Sequence, residues 1–144
     1  MHLNIRPAEA TELPAMKRLL AAHALPTADF ETSAVEWLVA VSAVDGLAGM
    51  VGLELFDRDG LLRSLVVTKP GAGVGSALLA AAEDVARSRG VHHLFLLTQT
   101  AEPFFAARGY ARSARSDASP ALLITEEFRS LCPATAACMA RELA

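Results

Sequence analysis

The segment from Ser64 to Arg87, SLVVTKPGAGVGSALLAAAEDVAR, constrains the fold more than any other part of the sequence. Apolar and β-branched residues run into a turn with three glycines, and an alanine-rich amphipathic stretch follows. This order predicts a strand, a glycine-rich turn and a helix. Glycine lets a backbone approach an anion closely, and the amides of a first helical turn are free to donate to it. The turn therefore either binds a phosphate group or only reverses the chain, and the motif alone leaves both readings open.

Two common phosphate-binding motifs do not fit this turn. A Walker loop needs Lys and then Ser or Thr after its last glycine, whereas Ser76 and Ala77 follow Gly75. A dinucleotide-binding fingerprint needs a further glycine at the position of Leu78. The turn is therefore not expected to serve nucleoside triphosphate hydrolysis or a standard dinucleotide fold.

Length and composition restrict the class of protein. A chain of 144 residues predicts one domain, residues 1–144, and 53% hydrophobic residues exclude disorder. No apolar stretch is long enough and free enough of charge to predict a membrane span. The net charge of -3, with scattered basic residues, gives little support for nucleic-acid binding. The N-terminus lacks a secretory pattern and the chain has two cysteines, so the expected compartment is the cytoplasm.

Hydrophobic periodicity predicts alternating strands and helices. The predicted strands are residues 2–7, 47–56, 61–68, 92–98 and 110–115. The predicted helices are residues 8–24, 76–89, ending at Gly90, 102–107 and 119–131, capped by Ser119. Residues 30–44 are expected to be helix and then strand, and Asp45-Gly46 and Asp59-Gly60 are expected to form hairpin turns. For Thr135 to Leu143, propensity alone predicts a helix.

This element order resembles the GCN5-related N-acetyltransferase superfamily, or GNAT. The likeness covers Leu3 to about Ala114 and is strongest from Leu61 to Tyr110. It implies an α/β fold with a mixed, mostly antiparallel sheet, flanked by helices and splayed at the fourth and fifth strands. It also implies an enzyme that transfers acetyl from acetyl-CoA to an amine.

Two blocks carry the resemblance, and each departs from the family pattern. The family signature, Arg or Gln, two residues, Gly, one residue, Gly or Ala, matches Gly73 and Gly75 but places Pro70 at the Arg or Gln position. Pro70 has neither a charge nor an N–H to offer a pyrophosphate, and the neighbouring Lys69 is the candidate to replace the charge. In AEPFFAARGY, Phe105 stands where many members have a Tyr that protonates the departing thiolate. The lone tyrosine, Tyr110, falls at a family packing position, so the acid role is not assigned to it.

A narrower likeness joins GLLRSLVV, LLTQTAEPFF and EEFRSLCPATAACM. Together they resemble the N-acetyltransferases found in arsenic-resistance operons, over about residues 46 to 143. That subgroup ends on a strand, so the resemblance predicts a strand for Thr135 to Leu143, against propensity. Homodimers are common among relatives, which makes a second copy of this chain a candidate partner.

The GNAT resemblance implies a set of cofactor-binding residues. The backbone of Leu65, Val66 and Val67 is expected to pair with the pantetheine arm. The amides of the loop are expected to hold the pyrophosphate, and Gln99 and Phe105 complete the set. The loop residues are Gly71, Ala72, Gly73, Val74, Gly75 and Ser76.

The acceptor side has fewer candidates. Alternation places Val51 and Leu53 on one face of a strand and Glu54 on the other, near the expected cleft. Glu54 is the candidate base for the attacking amine, or else a solvated strand residue. Arg63, one strand over, is a candidate for binding a substrate carboxylate, with Ser64 beside it, and alternatively for pairing with Glu54.

No metal site is expected. His92 and His93 have no carboxylate or cysteine at ligand spacing. Cys132 and Cys138 are six residues apart, which separates their sulfurs on either a strand or a helix. Two further readings remain from other functional classes: an acyl-CoA-binding module that has lost catalysis, suggested by Pro70 and Phe105, and a small-ligand-binding protein with a plain glycine loop.

Overall fold

The computed structural model describes residues 3–23, 25, 35–44, 46–123, 125 and 136–143. Its helices are α1, α2, α3 and α4, with 3-10 turns at Ala10–Glu12 and Arg115–Asp117. The helices span Leu13–Ala22, Val74–Ser88, Glu102–Ala106 and Pro120–Leu123. The strands β1 to β7 span Leu3–Pro7, Glu36–Ser42, Gly46–Phe56, Asp59–Val67, His93–Thr98, Ala111–Arg112 and Ala137–Glu142.

The seven strands of the described part form one sheet in the order β1-β2-β3-β4-β5-β7-β6. Neighbours pair antiparallel except β4 and β5, which are parallel. A parallel pair needs a crossover, and α2 supplies it. The predicted mixed, mostly antiparallel sheet is confirmed.

Helices cover both faces of the sheet. On one face, Leu78, Leu79 and Ala82 of α2 pack against Val51 and Leu53 of β3. On the other face, α1 packs on the β2–β4 region and α4 packs near β5 and β7. These contacts come from Met16 and Leu20 of α1, with Val39, Met50 and Val66, and from Leu122 of α4, with Leu61, Phe95 and Cys138. The predicted alternation along β3 is confirmed, because Val51 and Leu53 face α2 while Met50 faces α1.

Most predicted elements lie where the periodicity placed them, and α2 begins two residues earlier than expected. Gly90 follows α2 with φ +83°, as expected for a glycine that ends a helix. The predicted strand over residues 110–115 is wrong beyond Arg112, because the chain turns into a 3-10 turn at Arg115. Residues 2, 24, 30–34, 45, 124, 126–132 and 135, on which parts of other predictions fall, lie outside the described residues.

Two local predictions need correction. The turn between β3 and β4 is Asp57-Arg58, with Asp57 at φ +60°, and Asp59-Gly60 belongs to β4. The Asp59 carboxylate instead accepts from the Ser119 amide at 3.0 Å. The Ser119 hydroxyl, expected to cap a helix, is buried with no hydrogen-bond partner in the described residues.

The strand predicted for Thr135 to Leu143 is confirmed over Ala137–Glu142, the helix predicted from propensity is wrong there, and Thr135 lies outside the described residues. β7 pairs antiparallel with β5 from His93–Glu142 to Thr98–Ala137. Its inner side chains Cys138 and Met139 are buried. The ladder and the burial outweigh the helical preference of its alanines.

Candidate functional site

Strands β4 and β5 are paired over only three residue pairs and then separate. The pairs are Asp59–His93, Gly60–Leu94 and Leu61–Phe95. From Leu62 onward, β4 has no partner on β5 in the described residues, although both strands continue to Val67 and Thr98. Backbone amides and carbonyls on that side of β4 therefore line a cleft within the sheet. This is the predicted splay at the fourth and fifth strands, and it includes Leu65, Val66 and Val67.

A β-bulge lies at the mouth of this cleft. Met50 pairs with Val66, and Gly52 pairs with Arg63, so one residue of β3 opposes two of β4, Ser64 and Leu65. Ser64 has φ +56°, in the left-handed region that non-glycine residues rarely adopt. Its hydroxyl is buried without a hydrogen-bond partner among the described residues. The bulge increases the local twist of β4 and turns its edge away from β5.

The glycine loop follows β4 at the same end of the sheet. Gly71 and Gly73 have φ +86° and +79°, and a Cβ on either would meet no atom within 4 Å. The loop therefore needs glycine for its backbone and has open space beside it. Gly73 precedes α2 without a side-chain cap, and the Ala77 amide is the one that bonds the Gly73 carbonyl, at 3.1 Å. The amides of the first turn of α2 thus have no acceptor within the helix.

The start of α2 also contacts α3 and the residues after it. A Cβ on Gly75 would lie 3.4 Å from the Phe104 ring, so the glycine allows close packing there. Arg108 donates from Nε and Nη2 to the Ser76 hydroxyl, at 3.0 and 2.6 Å. Its guanidinium lies 3.7 Å from the Phe104 ring centroid. A cation therefore lies at the first turn of α2, and neither composition nor motif spacing indicated it.

Glu54 and Arg63 form a buried ion pair. Arg63 Nη1 donates to Glu54 Oε1 at 3.0 Å, and the two side chains are 1% and 10% exposed. Gly52 makes room for this pair, because a Cβ there would lie 2.7 Å from Trp37 and 3.0 Å from the Arg63 side chain. The pairing of Arg63 with Glu54, one of the two alternatives for Arg63, is present in the structure. Glu54 is accordingly a buried residue and not a solvated one.

The remaining predicted residues lie in different surroundings. Gln99 is exposed just beyond β5, at the same end of the sheet as the glycine loop. Thr98 accepts from the Ala101 amide at 3.0 Å and so fixes the turn into α3. Phe105 is 6% exposed and packs edge to face on Phe104 and Tyr110. Its ring therefore belongs to the core beneath α2.

Tyr110 is part of a buried polar cluster that sequence reasoning missed. Its hydroxyl and Arg141 Nη1 each donate to Glu83 Oε2 at 2.8 Å. Burial and the adjacent Glu83 carboxylate raise the pKa of Tyr110 far above its usual range. The amphipathic periodicity of residues 76–89 predicts that Glu83 faces solvent, and this prediction is wrong, because Glu83 is 6% exposed.

In the described ranges, 3–23, 25, 35–44, 46–123, 125 and 136–143, no three His, Cys, Asp or Glu side chains form a group that could hold a metal ion. No helix within the same part of the chain has the length and apolar character to cross a membrane.

Burial raises the pKa of the Cys138 thiol above its ordinary value.

Comparison with solved structures shows the same fold in several acyltransferases. N-acetylglutamate synthase from Neisseria gonorrhoeae, complexed with coenzyme A and N-acetyl-glutamate, matches with TM-score 0.84 and 21% identity. The match covers 100% of this chain and 36% of that one, so this chain spans about a third of that protein. A ribosomal-protein alanine N-acetyltransferase from Escherichia coli matches with TM-score 0.74 and 19% identity, covering 99% and 95%.

Tetrahymena GCN5 matches with TM-score 0.77 and 13% identity, covering 100% of this chain and 97% of that one. No curated protein matches the sequence significantly. The model of the acetyltransferase (GNAT) family matches residues 4–113, which include the cleft, the bulge and the glycine loop. The chain belongs to the acetyltransferase (GNAT) family.

Proposed function

We propose that residues 1–144 form one acetyltransferase domain that transfers acetyl from acetyl-CoA to the amine of a small molecule. One observation carries the proposal: the edge of β4 that is not paired with β5 and the glycine loop that precedes α2 lie at the same end of the sheet. An extended arm with its own amides suits the edge, and a diphosphate suits the loop. Neighbours of the same fold bind coenzyme A, which supports this assignment.

The contacts expected for acetyl-CoA follow from this geometry. The backbone of Leu65, Val66 and Val67 pairs with the pantetheine arm in the cleft. The diphosphate lies against the amides of the loop, where the positive end of the α2 dipole favours an anion. The loop residues are Gly71, Ala72, Gly73, Val74, Gly75 and Ser76. Gln99 reaches the cofactor from the end of β5, and Phe105 supports the site from the core.

On the acceptor side, the amine attacks the thioester carbonyl, loses a proton, and the thiolate of CoA leaves. We assign the proton to Glu54, directly or through a water, because it is the carboxylate on the β3 face opposite α2, beside the bulge. Arg63 holds that carboxylate in position at 3.0 Å. Ser64, whose buried hydroxyl has no hydrogen-bond partner within the part of the chain that the structure describes, is assigned to the acceptor. General base catalysis of this kind contributes about 10² to 10⁴-fold.

The acceptor class is proposed from sequence resemblance and from the fold neighbours. Three sequence blocks resemble the N-acetyltransferases of arsenic-resistance operons, so the proposed acceptor is an amino-acid-like amine or an arsenic-containing antimetabolite. N-acetylglutamate synthase, one neighbour, is complexed with an acetylated amino acid, while another acts on a protein alanine. The proposed compartment is the cytoplasm, consistent with a chain that has two cysteines.

A second function is favoured by two specific residues. Pro70 removes the family's Arg or Gln, and Phe105 cannot donate a proton to the thiolate. A module that binds acyl-CoA without turning it over would keep the cleft and the loop and lose these groups. The two functions share cofactor binding and differ in CoA release.

The test has two stages. Thermal unfolding with acetyl-CoA, with CoA and without ligand measures binding, since a ligand that binds the native state raises the melting temperature. We expect both ligands to raise it, and no shift with either would refute the proposed cofactor. CoA release is then measured with a thiol reagent against a panel of amino acids, polyamines and protein N-terminal peptides. Release with one class identifies the acceptor, whereas binding without release across the panel supports the non-catalytic module.

A further inference from the structure

Arg108 is a cation held in place at the first turn of α2. Its Nε and Nη2 bond the Ser76 hydroxyl, and its Nη1 bonds the Phe104 carbonyl at 2.8 Å. The guanidinium also stacks on the Phe104 ring. These contacts use three of its five N–H groups, so one on Nη1 and one on Nη2 remain. Among the described residues, no carboxylate pairs with Arg108.

The position of this charge is electrostatically unfavourable unless an anion joins it. The N-terminus of a helix carries partial positive charge, so a cation fixed there is repelled. Two arginines elsewhere in the structure, Arg89 and Arg112, pair with the carboxylates of Glu36 and Glu102. Arg108, in contrast, has a hydroxyl, a carbonyl and a ring. The arrangement is stabilised when a negatively charged group lies at the same helix end.

We propose that Arg108 binds the diphosphate of acetyl-CoA and supplies the charge that Pro70 cannot supply. The inference rests on the proposed cofactor. In the family signature, the Arg or Gln at the position of Pro70 contacts the diphosphate. Here that contact is assigned to Arg108, which follows α3 and is held by Ser76 and Phe104. Ser76 then has two uses, because its amide faces the loop while its hydroxyl positions the guanidinium. The N–H groups left on Nη1 and Nη2 donate to phosphate oxygens.

The test is calorimetric measurement of Kd for CoA and for dephospho-CoA, at low and high ionic strength. The proteins are the wild type, Arg108→Gln, Arg108→Lys and the control Arg87→Gln, which changes an arginine at the other end of α2. A hydrogen bond to a charged group predicts that Arg108→Gln weakens both ligands about 10-fold to 100-fold. It should also flatten the dependence of Kd on salt. Arg108→Lys should recover part of the affinity, and Arg87→Gln should bind as the wild type does.

Each result separates this inference from the proposed function. If the wild type binds neither ligand, both fail. If it binds them and Arg108→Gln binds equally well, the inference alone fails. A loss confined to CoA, with dephospho-CoA unaffected, assigns Arg108 to the 3′-phosphate and overturns the diphosphate contact. A loss with an unchanged salt dependence indicates a packing role and also overturns it.

Discussion

Replacing Glu54 with Ala should destabilise the protein strongly, because it leaves the Arg63 guanidinium buried without this counter-charge. Arg63 is 1% exposed at its side chain and 3.0 Å from the Glu54 carboxylate. At an effective dielectric constant of about 20, that separation corresponds to about 5.5 kcal/mol of attraction, part of which offsets desolvation. Removing one partner of a buried pair costs about 3–5 kcal/mol. At about 2.1 cal/mol/K per residue, 144 residues convert this cost into a fall in Tm of about 10–17 °C.

The assay is thermal and denaturant unfolding of Glu54→Ala beside Glu36→Ala. The control breaks the exposed Arg89–Glu36 pair, whose side chains are 52% and 46% exposed, and should cost under about 1 kcal/mol. A double variant, Glu54→Leu with Arg63→Met, removes both charges and should recover much of the loss. Equal falls in Tm for Glu54→Ala and Glu36→Ala would refute the reasoning. The reasoning would also be refuted if the double variant lost more stability than its two single substitutions lose together.

Three further predictions use other parts of the molecule. Gly73→Asp should abolish the thermal shift with acetyl-CoA, since it places a carboxylate against the phosphates. The control Gly73→Ala has the same strain at φ +79° without the charge. An equal loss of the thermal shift in the two variants would show that the charge is not the cause. Because the pKa of Tyr110 is raised in the folded protein, Tyr110 contributes to the free energy of unfolding fully below about pH 10, and this contribution is lost as the pH rises further. Tyr110→Phe should therefore show a smaller loss of stability above about pH 10 than the wild type, as measured by denaturant titrations on both sides of that pH. In a Cys132→Ser background, the buried Cys138 thiol, whose pKa is raised, should react with a disulfide reagent slowly until the protein is unfolded; fast labelling of native protein would contradict its burial.

Sequence periodicity predicted those features that depend on neighbours along the chain. Alternation in β3 put Val51 and Leu53 on one face and Glu54 on the other because the side chains of any strand alternate. Gly90 marked the end of α2 because a left-handed residue is needed there. The glycine loop was found for the same reason, since its backbone conformation requires glycine at Gly71 and Gly73.

Features that depend on distant parts of the chain were missed. Glu83 reads as a solvent-facing helix residue, and it is buried only because Tyr110 and Arg141 arrive from elsewhere to bond it. Arg108 reads as one arginine among many until α3 brings it to Ser76. The β7 strand was not missed, because the family resemblance predicted it, but propensity alone predicts a helix there since alanine favours helices, and pairing with β5 makes it a strand. In each case tertiary contacts determine the burial or the secondary structure of the residue, and local propensity does not predict those contacts.

The parting of β4 from β5 also determines what kind of sequence change the cleft tolerates. The groups that β4 offers beyond Leu61 are main-chain amides and carbonyls, which every residue except proline carries alike. The side chains of Leu62, Leu65, Val66 and Val67 can therefore vary with the core around them while the hydrogen-bonding edge is kept, whereas Arg63 is fixed by its ion pair with Glu54. The exceptions are a proline, which deletes a donor, and any change that straightens the bulge at Ser64. Under the proposed function, recognition of the cofactor by this edge depends on the shape of the backbone more than on particular side chains.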